Sequence, residues 1–231
     1  MNRKELVIQS IPCLLWGEKS NKVYIYVHGK GSSKEGHLAK IIADVVIKKG
    51  YQLLSFDLPE HGQRTDEKRC DVFDGVKDLE LILDEISNHF DEICVFGCSI
   101  GAYFSLQTLM NYKISKCLFL SPIIDMEYLI SQMFVWFNVD EIMLEREKEI
   151  QTPIDPLRYD YYCYVKNHPL KQWTIPTSIL YGAKDNLQTL EIMRKFEEKY
   201  QTHLEVSNNS EHAFMGESDD QIIKNWLIHY A

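Results

Sequence analysis

The chain has 231 residues and no apolar run long enough to span a bilayer, which argues against a helical membrane protein. Its first residues, Met-Asn-Arg-Lys-Glu-Leu-Val-Ile, are basic but carry no adequate apolar stretch and no small-residue cleavage site, so no signal peptide is expected. Basic residues are in deficit, 25 against 34 acidic, for a net charge of −9. That balance argues against a nucleic-acid or anionic-membrane partner, whose phosphates call for clustered Lys and Arg. Cys13, Cys70, Cys94, Cys98, Cys117 and Cys163 form no C-x-x-C pair and do not alternate with histidines. His, Asp and Glu do not cluster at ligand spacing either, so neither a metal nor an organic cofactor is expected. Cys94 and Cys117 fall in apolar runs and read as buried small residues, and a reducing cytoplasm is the expected compartment. Gly29-Lys30-Gly31-Ser32-Ser33 is glycine-rich but lacks the G-x-x-x-x-G-K-[ST] spacing of a phosphate cradle. There are no internal repeats and no low-complexity tract.

Strand-like runs alternate with amphipathic stretches in what is present. Strands are expected over 23–28, 51–56, 93–96, 116–120, 177–181 and 204–206. Helices are expected over 35–49, 72–90, 99–110, 187–200 and 219–229. Leu38, Ile41, Ile42, Val45 and Val46 share one helical face, and Val76, Leu79, Leu83 and Ile86 share another. Such alternation implies an α/β fold, a mainly parallel sheet covered on both faces. Residues 5–16 suggest a short antiparallel pair at the edge, a reading that Pro12 weakens. Residues 123–173 break the rhythm, turning aromatic and Met-rich and then charged. They are too long for a simple crossover and read as a helical insertion over the sheet. The expected organisation is therefore a core of 1–122 and 174–231 with a cap of 123–173.

The densest chemical signal is Gly97-Cys98-Ser99-Ile100-Gly101, between a predicted strand and a predicted helix. G-x-S-x-G in that setting is a nucleophile elbow. The turn strains the central residue, and a Cβ at either flank would strike the neighbouring strand or helix. A serine needs a base, an orienting acid and oxyanion donors. Asp185 follows the 177–181 strand, and His212 follows the last short strand, giving the order Ser99, Asp185, His212. Cys98 beside Ser99 reads as packing.

These pieces make the chain resemble the α/β hydrolases of the serine esterase and lipase type. The matching segments are His28-Gly29, Asp57-Leu58-Pro59-Glu60-His61-Gly62, Gly97–Gly101, Tyr181-Gly182-Ala183-Lys184-Asp185 and Glu211-His212-Ala213-Phe214. They run from about residue 23 to the end. The resemblance implies Ser99 as nucleophile, His212 as general base and Asp185 as orienting acid. It implies an oxyanion hole from the backbone N–H groups of Lys30 and Ile100, and a cap in 123–173. Some hydrolases of this architecture carry the acid one strand earlier, which makes Asp125 the rival; the Gly-x-x-Asp context favours Asp185. His28 is expected to order the oxyanion loop, and His61 to play a structural part near the site. His37 and His168 are candidates for the pocket rim, while His89, His203 and His229 read as solvated or packing residues. Two departures stand out: Glu60 where a Gly is usual, and Ala102 where many members have a second Gly. Arg64 is expected to face solvent, with Glu60 or a substrate carboxylate as the alternative partner.

The favoured activity is hydrolysis of small or medium carboxylic esters through an acyl-enzyme. Thioester and small-peptide or amide cleavage share the same triad, and a non-catalytic binding protein on this scaffold is the alternative of another class. Phe134, Trp136 and Phe137, with Tyr128 and Met133, are the candidate substrate contacts; the competing reading makes them the packing core of the cap.

Overall fold

The computed structural model describes residues 2–231. Its strands are β1 (Arg3–Ile8), β2 (Ile11–Trp16), β3 (Lys22–Val27), β4 (Gln52–Phe56), β5 (Glu92–Cys98), β6 (Lys116–Leu120), β7 (Glu149–Ile150), β8 (Leu157–Arg158), β9 (Thr177–Gly182) and β10 (His203–Ser207). Its helices are α1 (His37–Val46), α2 (Val72–Ile86), α3 (Ile100–Thr108), α4 (Met126–Phe137), α5 (Glu141–Glu147), α6 (Tyr159–Asn167), α7 (Leu190–Tyr200) and α8 (Asp219–Tyr230).

Eight strands form one sheet in the order β1-β2-β4-β3-β5-β6-β9-β10. The six from β4 to β10 run parallel, and β1 and β2 add an antiparallel edge. Pro12 fits there because it is used for its carbonyl, which accepts the Asp57 N–H at 3.0 Å.

Side chains of a strand alternate between faces. On β3, Val23, Ile25 and Val27 join one core cluster, and Tyr24 and Tyr26 join the other. β5 and β6 divide in the same way, Val95 and Phe119 against Phe96 and Leu118. Leu79 and Leu83 of α2 and Phe104 of α3 cover the first face; Ile42 and Val46 of α1 and Trp226 of α8 cover the second. Both faces are buried, so the central strands read as nearly continuous apolar runs.

Four expected helices are shorter in the structure, the 187–200 stretch beginning only at Leu190. The 35–49 stretch is α1 followed by a tight turn, Ile47–Lys49, that Gly50 closes at φ 86°. The helix expected to 90 ends at Ile86 with Ser87 as its cap. The helix expected from 99 to 110 ends at Thr108 and passes into a second tight turn, Leu109–Asn111. Residues 123–173 carry α4, α5 and α6, as the helical reading expects. They also carry a two-stranded antiparallel pair, β7 with β8, which it did not foresee.

Candidate active site

β5 delivers the chain into Ser99 at φ 51° and ψ −118°, and α3 begins at the next residue. A non-glycine residue in such a conformation costs on the order of 1–3 kcal/mol. Contacts on every side hold it there. The Ser99 N–H donates to Leu120 O at 3.1 Å, and the Ser99 carbonyl accepts the N–H groups of Ala102 at 3.1 Å and Ile123 at 3.2 Å. A Cβ on Gly101 would lie 2.2 Å from the Val27 carbonyl oxygen, and one on Gly97 would lie 2.8 Å from Ala102 Cα. Backbone cannot move aside as a side chain does, so the two glycines let strand and helix meet.

The three side chains expected to act together form one hydrogen-bonded chain. Ser99 Oγ lies 2.9 Å from His212 Nε2, and His212 Nδ1 lies 2.6 Å from Asp185 Oδ2. The Asp185 side chain is fully buried, and its other oxygen accepts the N–H groups of Leu187 at 2.7 Å and Gln188 at 3.1 Å. Asp185 thus sits at the end of β9, locked by the turn that follows. Asp125 does not reach the imidazole: it caps α4, accepting the Tyr128 N–H at 2.8 Å. Cys98 is no rival to Ser99, because burial pushes its thiol up to about 12.

Lys30 and Ile100, the expected oxyanion donors, both stand at Ser99. Among the described residues, neither backbone N–H donates to another group. Two histidines shape the loop that carries Lys30. His28, wholly buried, donates Nδ1–H to Gly29 O at 2.8 Å and accepts the Leu58 N–H on Nε2 at 3.0 Å. It must be neutral to do both, and burial above all lowers its pKa to about 4. His61 accepts the Gly31 N–H on Nε2 at 2.9 Å, with Nδ1 facing Pro59 O at 2.7 Å. His28 therefore orders the loop as the sequence suggested, and His61, expected only to play a structural part near the site, bonds the same loop.

A cavity of about 110 Å³ opens beside Ser99. Met126, Leu129, Ile130 and Met133 of α4 make one wall, and residues 154–158 make another. Phe134, Trp136 and Phe137 are not in its lining. Phe134 packs on Tyr162 with ring centroids 5.2 Å apart, Trp136 is 41% exposed, and Phe137 packs at the margin of the core. The physical reason is position along α4: all three stand in its last turn, past Met133, the last of its residues to line the cavity, and 134 and 136 also lie toward the edges of the 126, 129, 130, 133 stripe. His37 bonds Asp220 at 2.8 Å, and neither it nor His168 lines this cavity.

Arg64 is corrected too. Its side chain is 2% exposed, not solvated; it donates to Asp57 O at 3.1 Å and pairs with Asp66 and the fully buried Asp78. Glu60 instead accepts the Cys70 N–H at 2.9 Å, from a backbone at φ 64°. The sequence reading also missed several supports. Gln188 accepts the N–H groups of Ile124 and Asp125 and donates to the Asp125 carbonyl, tying the acid's loop to the start of α4. Asp219 holds the loop of His212, accepting from Ser210 Oγ at 2.5 Å and from the Gly216 N–H at 2.7 Å. An acidic residue at the start of the last helix reads as an ordinary helix terminus, so no local pattern marks it.

The fold is that of the α/β hydrolases. A ferulic-acid complex of Est1E from Butyrivibrio proteoclasticus superposes with a TM-score of 0.78 at 16% identity, covering 98% of this chain and 97% of that one. Mouse alpha/beta hydrolase domain-containing protein 10 gives the same score, identity and coverage. Pyrococcus furiosus esterase Pf2001 gives a TM-score of 0.70 at 18% identity, covering 98% and 88%. No protein-family model and no curated protein matches the sequence.

Proposed function

We propose that the protein is a serine hydrolase acting on small or medium carboxylic esters. The observation that carries this is the unbroken chain from Ser99 Oγ through His212 to buried Asp185, at 2.9 and 2.6 Å. His212 Nε2 takes the Ser99 proton as Oγ attacks the carbonyl carbon. Asp185 holds the imidazole in the tautomer with hydrogen on Nδ1 and stabilises the imidazolium that forms. The Lys30 and Ile100 N–H groups receive the oxyanion of the tetrahedral intermediate. His212 then protonates the leaving alcohol, and water, deprotonated by the same imidazole, releases the acid from Ser99.

Residues 123–173 act as a cap, since they supply most of the cavity wall facing Ser99. At about 110 Å³ the cavity is smaller than the roughly 150 Å³ that admits one benzene. The chamber itself has room for an acetyl to butyryl group. Similarity in fold to solved esterases supports the reading. The six unpaired cysteines fit a reducing cytoplasm.

A fluorophosphonate probe with peptide mapping tests this. Stoichiometric labelling of Ser99, lost in Ser99→Ala, is the expected result. Folded protein that takes no label would be a binding protein instead. Matched p-nitrophenyl ester, thioester and aminopeptidase substrates then rank the acyl chemistry, with esters expected to lead.

A further inference from the structure

A second cavity, a groove of about 340 Å³, lies among α3, α6, α7 and the first residues of α4. Leu106 of α3, Val165 of α6 and Ile192 and Phe196 of α7 give it apolar surface, and Lys195 and Lys199 also line it. Among the described residues, Met126 is the one lining residue common to the Ser99 cavity and this groove, which has three times its volume.

That side chain is of the kind that can move. Methionine is unbranched, with three rotatable bonds, and refills irregular space at little cost. The backbone around it cannot move so easily. Gln188 holds the N–H groups of Ile124 and Asp125 at 3.1 and 2.9 Å and donates to the Asp125 carbonyl at 3.0 Å. Asp125 in turn caps α4 through the Tyr128 N–H. Opening at this point therefore comes from the side chain and leaves α4 and the Asp185 loop in place.

We infer that the groove is an acyl subsite for medium-chain aliphatic esters, entered when the Met126 side chain swings aside. The inference rests on the esterase reading above and extends it. The first carbons of the acyl chain fill the chamber at Ser99, and the tail passes Met126 to lie along Val165, Ile192 and Phe196.

The test is a series of p-nitrophenyl esters from acetate to decanoate. Each buried CH₂ is worth about fourfold in kcat/KM where the wall lets it in. Wild type is expected to hydrolyse the octanoate within about tenfold of the butyrate, because the tail gains in the groove offset the displaced thioether. Met126→Ala should raise the octanoate-to-butyrate ratio at least about tenfold, since two or more added CH₂ groups then enter freely. Met126→Phe, which also narrows the chamber at Ser99, should lower the octanoate-to-acetate ratio well below that of wild type. Ile192→Trp, which fills the groove outside the chamber, should lower octanoate and decanoate alone. A ratio that is the same in wild type, Met126→Ala and Ile192→Trp overturns the subsite, as does an Ile192→Trp loss equal for butyrate and octanoate. Octanoic acid titrated into wild-type protein by calorimetry reads the groove without catalysis, and Ile192→Trp is expected to weaken that binding. Binding lost in this way by a protein that no fluorophosphonate labels would keep the subsite and sink the serine hydrolase. Labelled, butyrate-active protein with no octanoate binding would do the reverse.

Discussion

On the sheet side of the cavity, Ser99 and Asp185 are both fixed through backbone. Ser99 is held by four main-chain hydrogen bonds and two glycine contacts, and Asp185 by two N–H groups in a fully buried setting. On the opposite side, the wall is made of Met126, Leu129, Ile130 and Met133, with residues 154–158 tied down by the Lys30–Asp155 and Arg158–Asp71 ion pairs. The first wall is determined by steric contacts that tolerate little error. The second is determined by packing volume and charge, which adapt. A site built this way keeps its chemistry fixed while its substrate range can drift.

The sharpest way to break the contrast is at the two carboxylates. Asp185→Asn presents an amide to His212 Nδ1 and favours the wrong tautomer, so kcat should fall by about 10⁴-fold. The fold should persist, since the amide oxygen can still accept the Leu187 and Gln188 N–H groups. Ester hydrolysis with a thermal melt on the same sample checks both halves. An unchanged kcat would remove Asp185 from the mechanism.

Next in size is a pH effect from the oxyanion loop. His28 has its pKa lowered by burial to about 4, against an ordinary 6.5. A histidine depressed in the folded state is neutral when folded and protonated when unfolded between those values. The unfolded chain then binds more protons, so stability is present above pH 6.5 and is lost as pH falls toward 4. The full loss is about 3 kcal/mol, at about 1.4 kcal/mol per pH unit. Urea unfolding at pH 7 and pH 4.5 reads it, and His28→Gln should flatten that part of the slope. An equal slope in the variant would assign the acid sensitivity elsewhere.

Asp125→Ala sharpens the comparison from the other side. It removes the N-cap of α4 and should cost about 1 kcal/mol of stability while leaving butyrate kcat within about twofold. A loss near that expected of Asp185→Asn would show that the cap carboxylate, not the one after β9, serves the imidazole.

The same division decides what the sequence could tell. Ser99, Asp185 and His212 sit in short local patterns at strand ends, where a turn dictates residue type over four or five positions. They are legible, as are the alternating strands that bury both faces. Contacts between distant positions leave no local trace. Gln188 bridging to Asp125, Asp219 holding Ser210, and Arg64 buried on Asp78 each join ordinary-looking residues. The cap aromatics failed for a different reason. Phe134, Trp136 and Phe137 mark the stretch as apolar but do not say which face of α4 meets Ser99. The 126, 129, 130, 133 spacing carries that phase, and only a partner surface tells it from the other stripes of an apolar helix.

The smallest expected effect probes the join between the two walls. Lys30 is the proposed oxyanion donor through its N–H, while its Nζ pairs with Asp155 at 2.5 Å and donates to Ile154 O at 3.3 Å. The pair is nearly half exposed, so solvent and salt screen it and its worth is well under about 1 kcal/mol. Asp155→Asn should therefore lower kcat/KM no more than about threefold, and added salt should erase the difference. Backbone contacts from His28 and His61 would keep the Lys30 N–H in place without the ion pair. A larger, salt-insensitive loss in kcat would mean that the cap holds the oxyanion donor in position, and that the adaptable wall takes part in the chemistry.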